Sequence, residues 1–447
     1  MATLRPRGTS VFSGLFLIFV GIVLLLHNYR GLEIGDLLRT WWPLILILWG
    51  GIKLYERTVG RRSGETGYAR ITAGEVFLVF GLLILLLSVA GVDEVRNRFG
   101  GHDFTFGETY PFDLDLAPKA VPADARITIR NDRGDITVST SDTNEIRVSG
   151  KKKVTTWNEE EAEKIASPAS VEIVQNGDGY EIHPTTSDSR VTMDLDISIP
   201  KKSVLNIRSE KGDITVADLS TPLTINANSS DTIEVRDTNG DVSIDARKGD
   251  IKVSDTKGNV KISGKGGQID VTSATGGLTL NGEFYGPIRA DKIAKGVRFI
   301  SKRTDLTLTQ LTGHIEAGSG NLEIVDAPGN ITLRTTSYDV SIENATGKVQ
   351  VDNRNGDVSV RFSAPPKEDV TITNSNSTIS LTLPGSSSFD TSADCHSCDI
   401  ESDFSGDSLK QTKESENSRL EGKYGTARGP KITLKTSYGE LAIRKTS

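Results

Sequence analysis

The C-terminal part of the chain alternates aliphatic and polar residues in a repeated pattern. From Lys211 onward the unit is Gly, then Asp or Asn, then aliphatic, polar, aliphatic, as in GDITV at Gly212 and GDVSI at Gly240. Of the 16 gaps between successive first aliphatic residues, 13 are nine residues long, which identifies an internal repeat. These first aliphatic residues are Ile214, Leu223, Ile233, Val242, Ile251, Val260, Ile269, Leu278, Ile288, Val297, Leu306, Ile315, Leu322, Ile331, Val340, Val349 and Val358.

One unit has the length and pattern of one strand plus one turn. Alternation over about five residues predicts a half-buried strand with its aliphatic side chains on one face. The Gly and its Asp or Asn predict a corner with positive φ. Since so short a strand cannot fold alone, successive strands must stack and bury a continuous aliphatic column. The pattern therefore predicts an all-β fold, a single-chain β-solenoid. Two units per coil would give a rod of about 40 Å; three units per coil would shorten it, and the sequence leaves both open.

Similar but less regular patterns flank the repeat. Residues 125–140 and 144–154 are predicted strands, and residues 157–165 a short helix. Two further strands, VEIVQNGDGYEIH and VTMDLDISIP, lead into the repeat. After Phe362 the pattern resumes in STISLTL, CDIESDF, PKITLKT and GELAIRK. No segment of the chain stands out as a separate catalytic domain.

The first 100 residues contain three apolar segments, which we predict to be transmembrane helices at about 11–27, 41–55 and 74–92. The first and third are close to the roughly 20 residues that cross a bilayer core as helix. The middle segment is shorter, so it is either a third span or a re-entrant or interfacial segment. A cleavable signal peptide is the alternative for the first segment, but no small-residue cleavage site follows it.

Charge predicts the orientation of these segments. If the C-terminal region is extracytoplasmic, 7 Lys and Arg residues lie on the inner side of the membrane and 4 on the outer side, whether the chain has two or three spans. Because positive residues favour the inner side, this orientation is the predicted one.

Residues 1–100 carry a net charge of +4, which leaves a net charge of −11 on the remaining residues, since the whole chain carries −7. Such an acidic, Gly-rich body argues against nucleic-acid binding, which needs a clustered basic surface.

Two parts of the chain resemble known families. The segments GDITVST, DLDISIPKKSVLNIRSEKGDITV and ARGPKITLKTSYGELAIRK, in this order, resemble the bacterial putative-adhesin β-repeat family over residues 127–445. The stretch GLFLIFVGIVLLLHN followed by WWPLILILWGGIKL resembles the membrane region of Lia-type envelope-stress proteins. The resemblance implies a function in the cell envelope and brings no established activity or active site. One departure is TSADCHSCDIESDF, which has His396, Ser397 and Cys398 where such proteins usually have a Ser-Gly turn.

Cys395 and Cys398 are the only cysteines and form a C-x-x-C pair. In an oxidising compartment we expect them to form a short disulfide that pins one turn. A redox pair would favour a helix N-terminus in an αβ context, and zinc would need two further ligands. Haem attachment would need His directly after the second cysteine, where Asp399 stands. Two free thiols are the remaining alternative.

The other polar residues do not form a recognisable catalytic or metal motif. The Asp and Asn of the repeat, such as Asp213 and Asn259, could be calcium ligands, but calcium rolls need GGxGxD-like spacing, and hydrogen bonding to the turn backbone explains them better. The loop at residues 237–241 resembles the start of an EF-hand without its helices or its final Glu. His102, His183 and His314 are scattered, and neither G-x-S-x-G nor H-E-x-x-H is present. We therefore assign no catalytic, cofactor-binding or metal-binding residue, and predict that the protein is not an enzyme.

These inferences combine into one hypothesis. We predict a membrane anchor at residues 1–100, an irregular β lead-in with a short helix at 101–210, and a β-solenoid at 211–447. The expected location is the cytoplasmic (inner) membrane, with the multi-pass anchor holding an extracytoplasmic domain. The expected function is an envelope interaction or sensing scaffold that contacts the lipid bilayer and an unknown envelope protein or polysaccharide, and needs no cofactor. An adhesin that binds glycans or other cell-surface ligands is one alternative, and a carbohydrate-active β-helix enzyme another.

Overall fold

A computed structural model describes residues 107–426 and 428–446. The three predicted transmembrane helices lie outside these described residues. Within the described ranges, no helix is long and apolar enough to cross a membrane.

The described residues fold almost entirely as β-strands, with one short helix, α1 (Glu159–Ala166), in the N-terminal part. The strands are β1 (Glu108–Asp115), β2 (Lys119–Ala120), β3 (Arg126–Asn131), β4 (Ile136–Ser141), β5 (Glu145–Thr156), β6 (Val171–Asn176), β7 (Gly179–Pro184), β8 (Val191–Pro200), β9 (Val204–Lys211), β10 (Ile214–Ala217), β11 (Leu223–Ser229), β12 (Thr232–Thr238), β13 (Val242–Ala246), β14 (Asp250–Thr256), β15 (Val260–Gly266), β16 (Ile269–Ala274), β17 (Leu278–Phe284), β18 (Ile288–Ile293), β19 (Val297–Ile300), β20 (Thr304–Leu308), β21 (His314–Ala317), β22 (Asn321–Val325), β23 (Ile331–Thr335), β24 (Asp339–Glu343), β25 (Val349–Asn353), β26 (Val358–Arg361), β27 (Val370–Asn374), β28 (Ile379–Pro384), β29 (Phe389–His396), β30 (Asp399–Ser402), β31 (Leu409–Glu414), β32 (Asn417–Tyr424), β33 (Lys431–Thr436) and β34 (Glu440–Thr446).

Each regular coil contains two strands, so two sequence units make one turn of the solenoid. Ile233 of β12 pairs with Ile251 of β14, and Val242 of β13 pairs with Val260 of β15, both in parallel. The strands therefore form two parallel sheets, which we call sheet 1 (with β12, β14 and β16) and sheet 2 (with β11, β13 and β15). Their aliphatic side chains point between the sheets and are buried, as the alternation predicts.

The rod is longer than the 40 Å expected from the regular repeat. Each sheet has 17 strands, and a spacing of about 4.8 Å between neighbouring strands makes the rod roughly 75 Å long. The difference arises because strands before residue 211 and after Phe362 join the same stack. For example, Ile136 of β4 pairs in parallel with Ile214 of β10, and Ile379 of β28 pairs with Leu441 of β34.

The Asp and Asn residues of the repeat connect one coil to the next. Their side-chain oxygens accept hydrogen bonds from backbone N–H groups one coil further along the rod. Asp213 accepts from Thr232 at 2.8 Å, Asp250 from Gln268 at 2.7 Å and Asn259 from Gly277 at 3.0 Å. The expected hydrogen bonding to turn backbone is confirmed, but the partner turn belongs to the neighbouring coil.

Glycine serves two different purposes at the two corners of a coil. Gly249, where the chain passes from sheet 2 to sheet 1, has a φ of 107°, so the predicted positive-φ corner is correct there. Gly258, at the opposite corner, does not have positive φ, and the prediction is wrong at that position. A Cβ on Gly258 would collide with the carbonyl oxygen of Gly240, so glycine allows the two coils to approach. The left-handed residues near this corner are Asp237 and Asp255, each with φ of 51°.

In the middle of the rod, one coil runs in the opposite direction. β19 and β20 form an antiparallel hairpin in sheet 2, and β21 and β22 form another in sheet 1. β20 also pairs antiparallel with β23, after which parallel stacking resumes. Leu306 and Ile315 of the reversed strands keep the nine-residue spacing, because an inward-facing pattern is the same in either direction. Only the gap of seven residues between Ile315 and Leu322 marks the second hairpin.

Both ends of the rod are built out of chain order. At the N-terminal end, β3 lies between β7 and β9, and β4 lies between β8 and β10. At the C-terminal end, β33 lies between β27 and β29, and β34 lies between β28 and β30. The coil formed by β3 and β4 and the coil formed by β33 and β34 are thus each enclosed between coils formed by other segments of the chain.

Further elements cover the end of the rod nearer the chain's start. The predicted helix at 157–165 is present as α1, which begins after Asn158 because the Asn158 side chain accepts a hydrogen bond from the Glu161 N–H at 2.8 Å. At the other end of α1, the Lys152 ammonium group donates to the carbonyl oxygens of Ala166 and Ala169, both at 2.9 Å. β5 and β6 continue the two sheets beyond β8 and β7.

Candidate functional site

The two cysteines lie at the C-terminal end of the rod, where β29 turns into β30. Their Cα atoms are 5.5 Å apart and the two sulfur atoms are in contact, which is the arrangement that a disulfide requires. Cys395 is buried, and Ser397 between them adopts the left-handed conformation with φ of 55°. The oxidised state of the pair stays a prediction that thiol labelling can test.

A polar cleft of about 510 Å³ opens beside this turn. It lies where the hairpin of β31 and β32 packs next to β29, since Asp394 of β29 pairs antiparallel with Arg419 of β32. The lining side chains share hydroxyl, amide and charged groups. They are Thr373, Asn374, Ser375, Asp394, Cys395, His396, Thr412, Glu414, Asn417, Ser418, Arg419, Lys435, Thr436 and Ser437.

Charges of both signs face this cleft. The Arg419 Nε donates a hydrogen bond to Asp394 Oδ1 at 2.7 Å, and this bond raises the pKa of Arg419. Glu421 lies 3.7 Å from the same nitrogen. Glu414 and Lys435 add one further charge of each sign to the lining. The cleft can therefore hold a ligand through hydroxyl, amide and charged contacts without favouring a single sign of charge.

His396 faces the cleft but is not placed as a metal ligand. Its Nδ1 lies 2.5 Å from Asn417 Oδ1, so this ring nitrogen is engaged by an amide. Within residues 107–426 and 428–446, no group of three or more His, Cys, Asp or Glu side chains is arranged to hold a metal ion. Of the other histidines, His183 and His314 lie on β7 and β21 away from the cleft, and His27 and His102 lie outside the described residues.

A small aromatic cluster lies at the opposite end of β29 from the cleft, where Phe389 begins the strand. The rings of Phe389, Phe404 and Tyr424 lie 4.8–5.5 Å apart in edge-to-face and stacked pairs. The Lys445 ammonium group lies 5.0 Å from the ring centroid of Phe404 and 5.4 Å from that of Tyr424. Because Lys445 belongs to the last strand, this cluster connects the C-terminal strand to the β29–β32 region. The sequence repeat did not predict the cleft or the cluster, since both depend on the position of the β31–β32 hairpin.

Two segments of the chain match known protein families. Residues 12–100 match the family model of the LiaF transmembrane domain, and residues 268–444 match Toastrack DUF4097. Among solved structures, a "putative cell adhesion protein" from Clostridium sporogenes matches at 8% identity and a TM-score of 0.16, over 76% of this chain and 100% of that chain. A "putative adhesin" from Bacteroides fragilis matches at 10% identity and a TM-score of 0.18, over 76% and 99%. A comparison with curated proteins finds no match. The chain is therefore similar to the LiaF transmembrane domain in its N-terminal region and to Toastrack DUF4097 towards its C-terminal end.

Proposed function

We propose that this protein is a non-enzymatic scaffold of the cell envelope, held in the cytoplasmic membrane by several helices and presenting its rod on the extracytoplasmic side. The observation that carries the proposal is the joining of two parts in one chain. The match to a transmembrane domain ends at residue 100, and the first strand of the rod begins at Glu108. A membrane anchor joined in one chain to a long β rod suits a protein that presents a binding surface outside the membrane.

The extracytoplasmic side is favoured by charge and by the cysteines. The excess of Lys and Arg on the inner segments predicts this orientation whether the chain has two or three spans. The contacting sulfur atoms of Cys395 and Cys398 fit a compartment in which a disulfide persists. The descriptions of the two matching families name no enzymatic activity, in keeping with a role in binding.

Reporter fusions test this placement. A reporter that is active only outside the cytoplasm should be active when fused after Ser447 and inactive when inserted between Arg61 and Gly67. The same insertion with a cytoplasmic reporter, which should be active, is the matched control. The reverse pattern would place the rod in the cytoplasm and refute the proposal.

An adhesin is the second candidate, and one observation favours it. Tyr438 follows the cleft residue Ser437 and is 55% exposed. An exposed aromatic ring beside a polar cleft is suited to a sugar, because the ring face contacts the apolar side of the sugar while polar groups bond to its hydroxyls. The scaffold and the adhesin differ in whether the rod's partner belongs to the same cell.

A further inference from the structure

Three tyrosines lie on one edge of the rod. Tyr285 lies between β17 and β18, Tyr338 between β23 and β24, and Tyr438 between β33 and β34. In each case the chain is passing from sheet 2 to sheet 1. Because the strands of each sheet on either side of these corners run in the same direction, all three corners lie on the same edge. We call this the tyrosine edge.

The tyrosines are evenly spaced along this edge. From β17 to β23 the sheet advances by three strand positions, through β19 and β20. From β23 to β33 it again advances by three positions, through β25 and β27. At about 4.8 Å per position, neighbouring tyrosines are separated by about 14 Å along the rod. The reversed coil thus preserves the spacing, since Tyr285 and Tyr338 are 53 residues apart and three regular coils of 18 residues contain 54.

Two of the three rings are exposed, and two of the three corners are held in place by buried side chains. Tyr285 is 80% exposed and Tyr438 55% exposed, while Tyr338 is partly buried against the core, which raises its pKa. The buried Asn353 side chain donates to the Tyr338 carbonyl oxygen at 2.9 Å, and the Thr436 hydroxyl donates to that of Tyr438 at 2.9 Å. Binding at this edge therefore requires little ordering of the backbone.

Polar groups lie between the rings. Between Tyr338 and Tyr438, the exposed Asn376 amide donates to Asn355 Oδ1 at 2.7 Å, which places two amides in line along the edge. Between Tyr285 and Tyr338, the hairpin tip of β19 and β20 carries the exposed Arg303, whose charge acts on Tyr338. At Tyr438 the edge meets the polar cleft, because the neighbouring residue Ser437 lines that cleft.

We propose that the tyrosine edge binds a linear, hydroxyl-rich polysaccharide that runs along the rod and ends in the cleft. Rings at a constant spacing on a straight edge match a stiff polymer with a regular repeat better than the irregular surface of a folded protein. The exposed rings of Tyr285 and Tyr438 contact the apolar faces of sugar units, and the amides and Arg303 bond to the groups between them. This inference rests on the proposed extracytoplasmic scaffold and names its partner.

The test uses the full-length protein in lipid nanodiscs, sedimented with insoluble chitin, cellulose or murein sacculi. Wild type is expected to co-sediment with at least one of these polymers. Tyr285→Ala and Tyr438→Ala should each weaken binding about tenfold or more, as expected for exposed aromatic anchors. Tyr285→Trp and Tyr438→Trp should retain binding, since they keep an aromatic face. Lys257→Ala, exposed on the opposite edge between β14 and β15, is the matched control and should bind like wild type.

Soluble oligomers of the bound polymer test the spacing. Affinity should rise steeply once an oligomer is long enough to span two tyrosines, and this rise should disappear in Tyr285→Ala combined with Tyr438→Ala. Binding to none of the three polymers, or equal binding by the Tyr→Ala variants and wild type, would overturn the inference. Either result would leave the reporter-fusion pattern unchanged, whereas a cytoplasmic rod would refute the proposed function itself.

Discussion

The regular coils of the rod, from β11 to β18, and its C-terminal end are built from the same two-strand unit but differ in the order in which the chain forms them. From β11 to β18 each strand pairs with the strand one coil before and one coil after it. At the C-terminal end, the last two strands enter between coils that precede them in sequence, so that the Lys431 N–H donates to Asp369 at 2.8 Å. The regular coils can therefore fold by adding one coil after another, whereas the C-terminal end can fold only when segments that are distant in sequence come into contact.

This difference predicts that the end is sensitive to loss of its last strands. A chain truncated after Pro430 lacks β33 and β34, which leaves β27 and β29 without their shared neighbour and removes the buried Ile432 and Leu441. We expect residues 370–426 to lose protection from amide hydrogen exchange while β11–β18 remain protected. A chain lacking only Ser447 is the control. Retained protection of β29 in the truncated chain would show that the enclosed coil is not required at this end.

A buried charge tests the regular coils directly. Ile251 is 1% exposed between the sheets, whereas its neighbour Lys252 is exposed on the outer face. Ile251→Asp places an unpaired carboxylate in the core and should lower the free energy of unfolding by roughly 4 kcal/mol or more. Lys252→Asp should lower it by no more than about 1 kcal/mol, mainly because it places a third carboxylate between Glu234 and Asp270 on the neighbouring strands. Urea unfolding of both variants measures the contrast, and equal losses would mean that the assigned inward face is wrong.

The sequence predicted the regular coils well because each depends on local alternation. Ile251 and Ile331 are buried as expected, and the nine-residue spacing corresponds to one strand and one corner. It did not predict the reversed coil, since Leu306 and Ile315 face inward whichever way their strands run. The order of coils at the ends could not be predicted either. The alternation of inward-facing and outward-facing side chains along β33 is the same whether or not this strand pairs with β27.

The candidate site was less predictable than the fold. The cysteine pair was visible as C-x-x-C, but the cleft beside it exists only because β32 pairs with β29. The tyrosine edge did leave a signal. Tyr285, Tyr338 and Tyr438 each stand two or three residues before the first aliphatic residue of the following strand, at Ile288, Val340 and Leu441. Their even spacing became apparent only from the strand pairing, because the out-of-order coils place residues 338 and 438 closer along the rod than in sequence.

The cysteine pair should contribute less to stability than the core. It closes a very short loop, which constrains the unfolded chain by about 2 kcal/mol or less. Replacing Cys395 and Cys398 together by Ser should therefore lower the melting temperature by only a few degrees. Unreduced, denatured wild type should show no thiol that reacts with an alkylating agent. Two reactive thiols, or bound zinc at one equivalent, would contradict the disulfide and return His396 to consideration as a ligand.

The smallest expected effect concerns the reversed coil and its dependence on pH. Arg298 of β19 forms an ion pair with Asp305 of β20 across the hairpin, and this hydrogen bond lowers the pKa of Asp305. A carboxyl group whose pKa is lower in the folded state stabilises the protein above its unfolded pKa and loses this contribution as pH falls through the folded value. Since both side chains are substantially exposed, the contribution of this ion pair to stability should not exceed about 1 kcal/mol.

Asp305→Asn should therefore reduce the free energy of unfolding slightly at pH 7 and have little effect at a pH below the folded pKa of Asp305. Asp245→Asn, on the outer face of β13 in a regular coil, is the control. A loss that is equally large at both pH values would mean that Asp305 acts through packing at the hairpin and not through its charge.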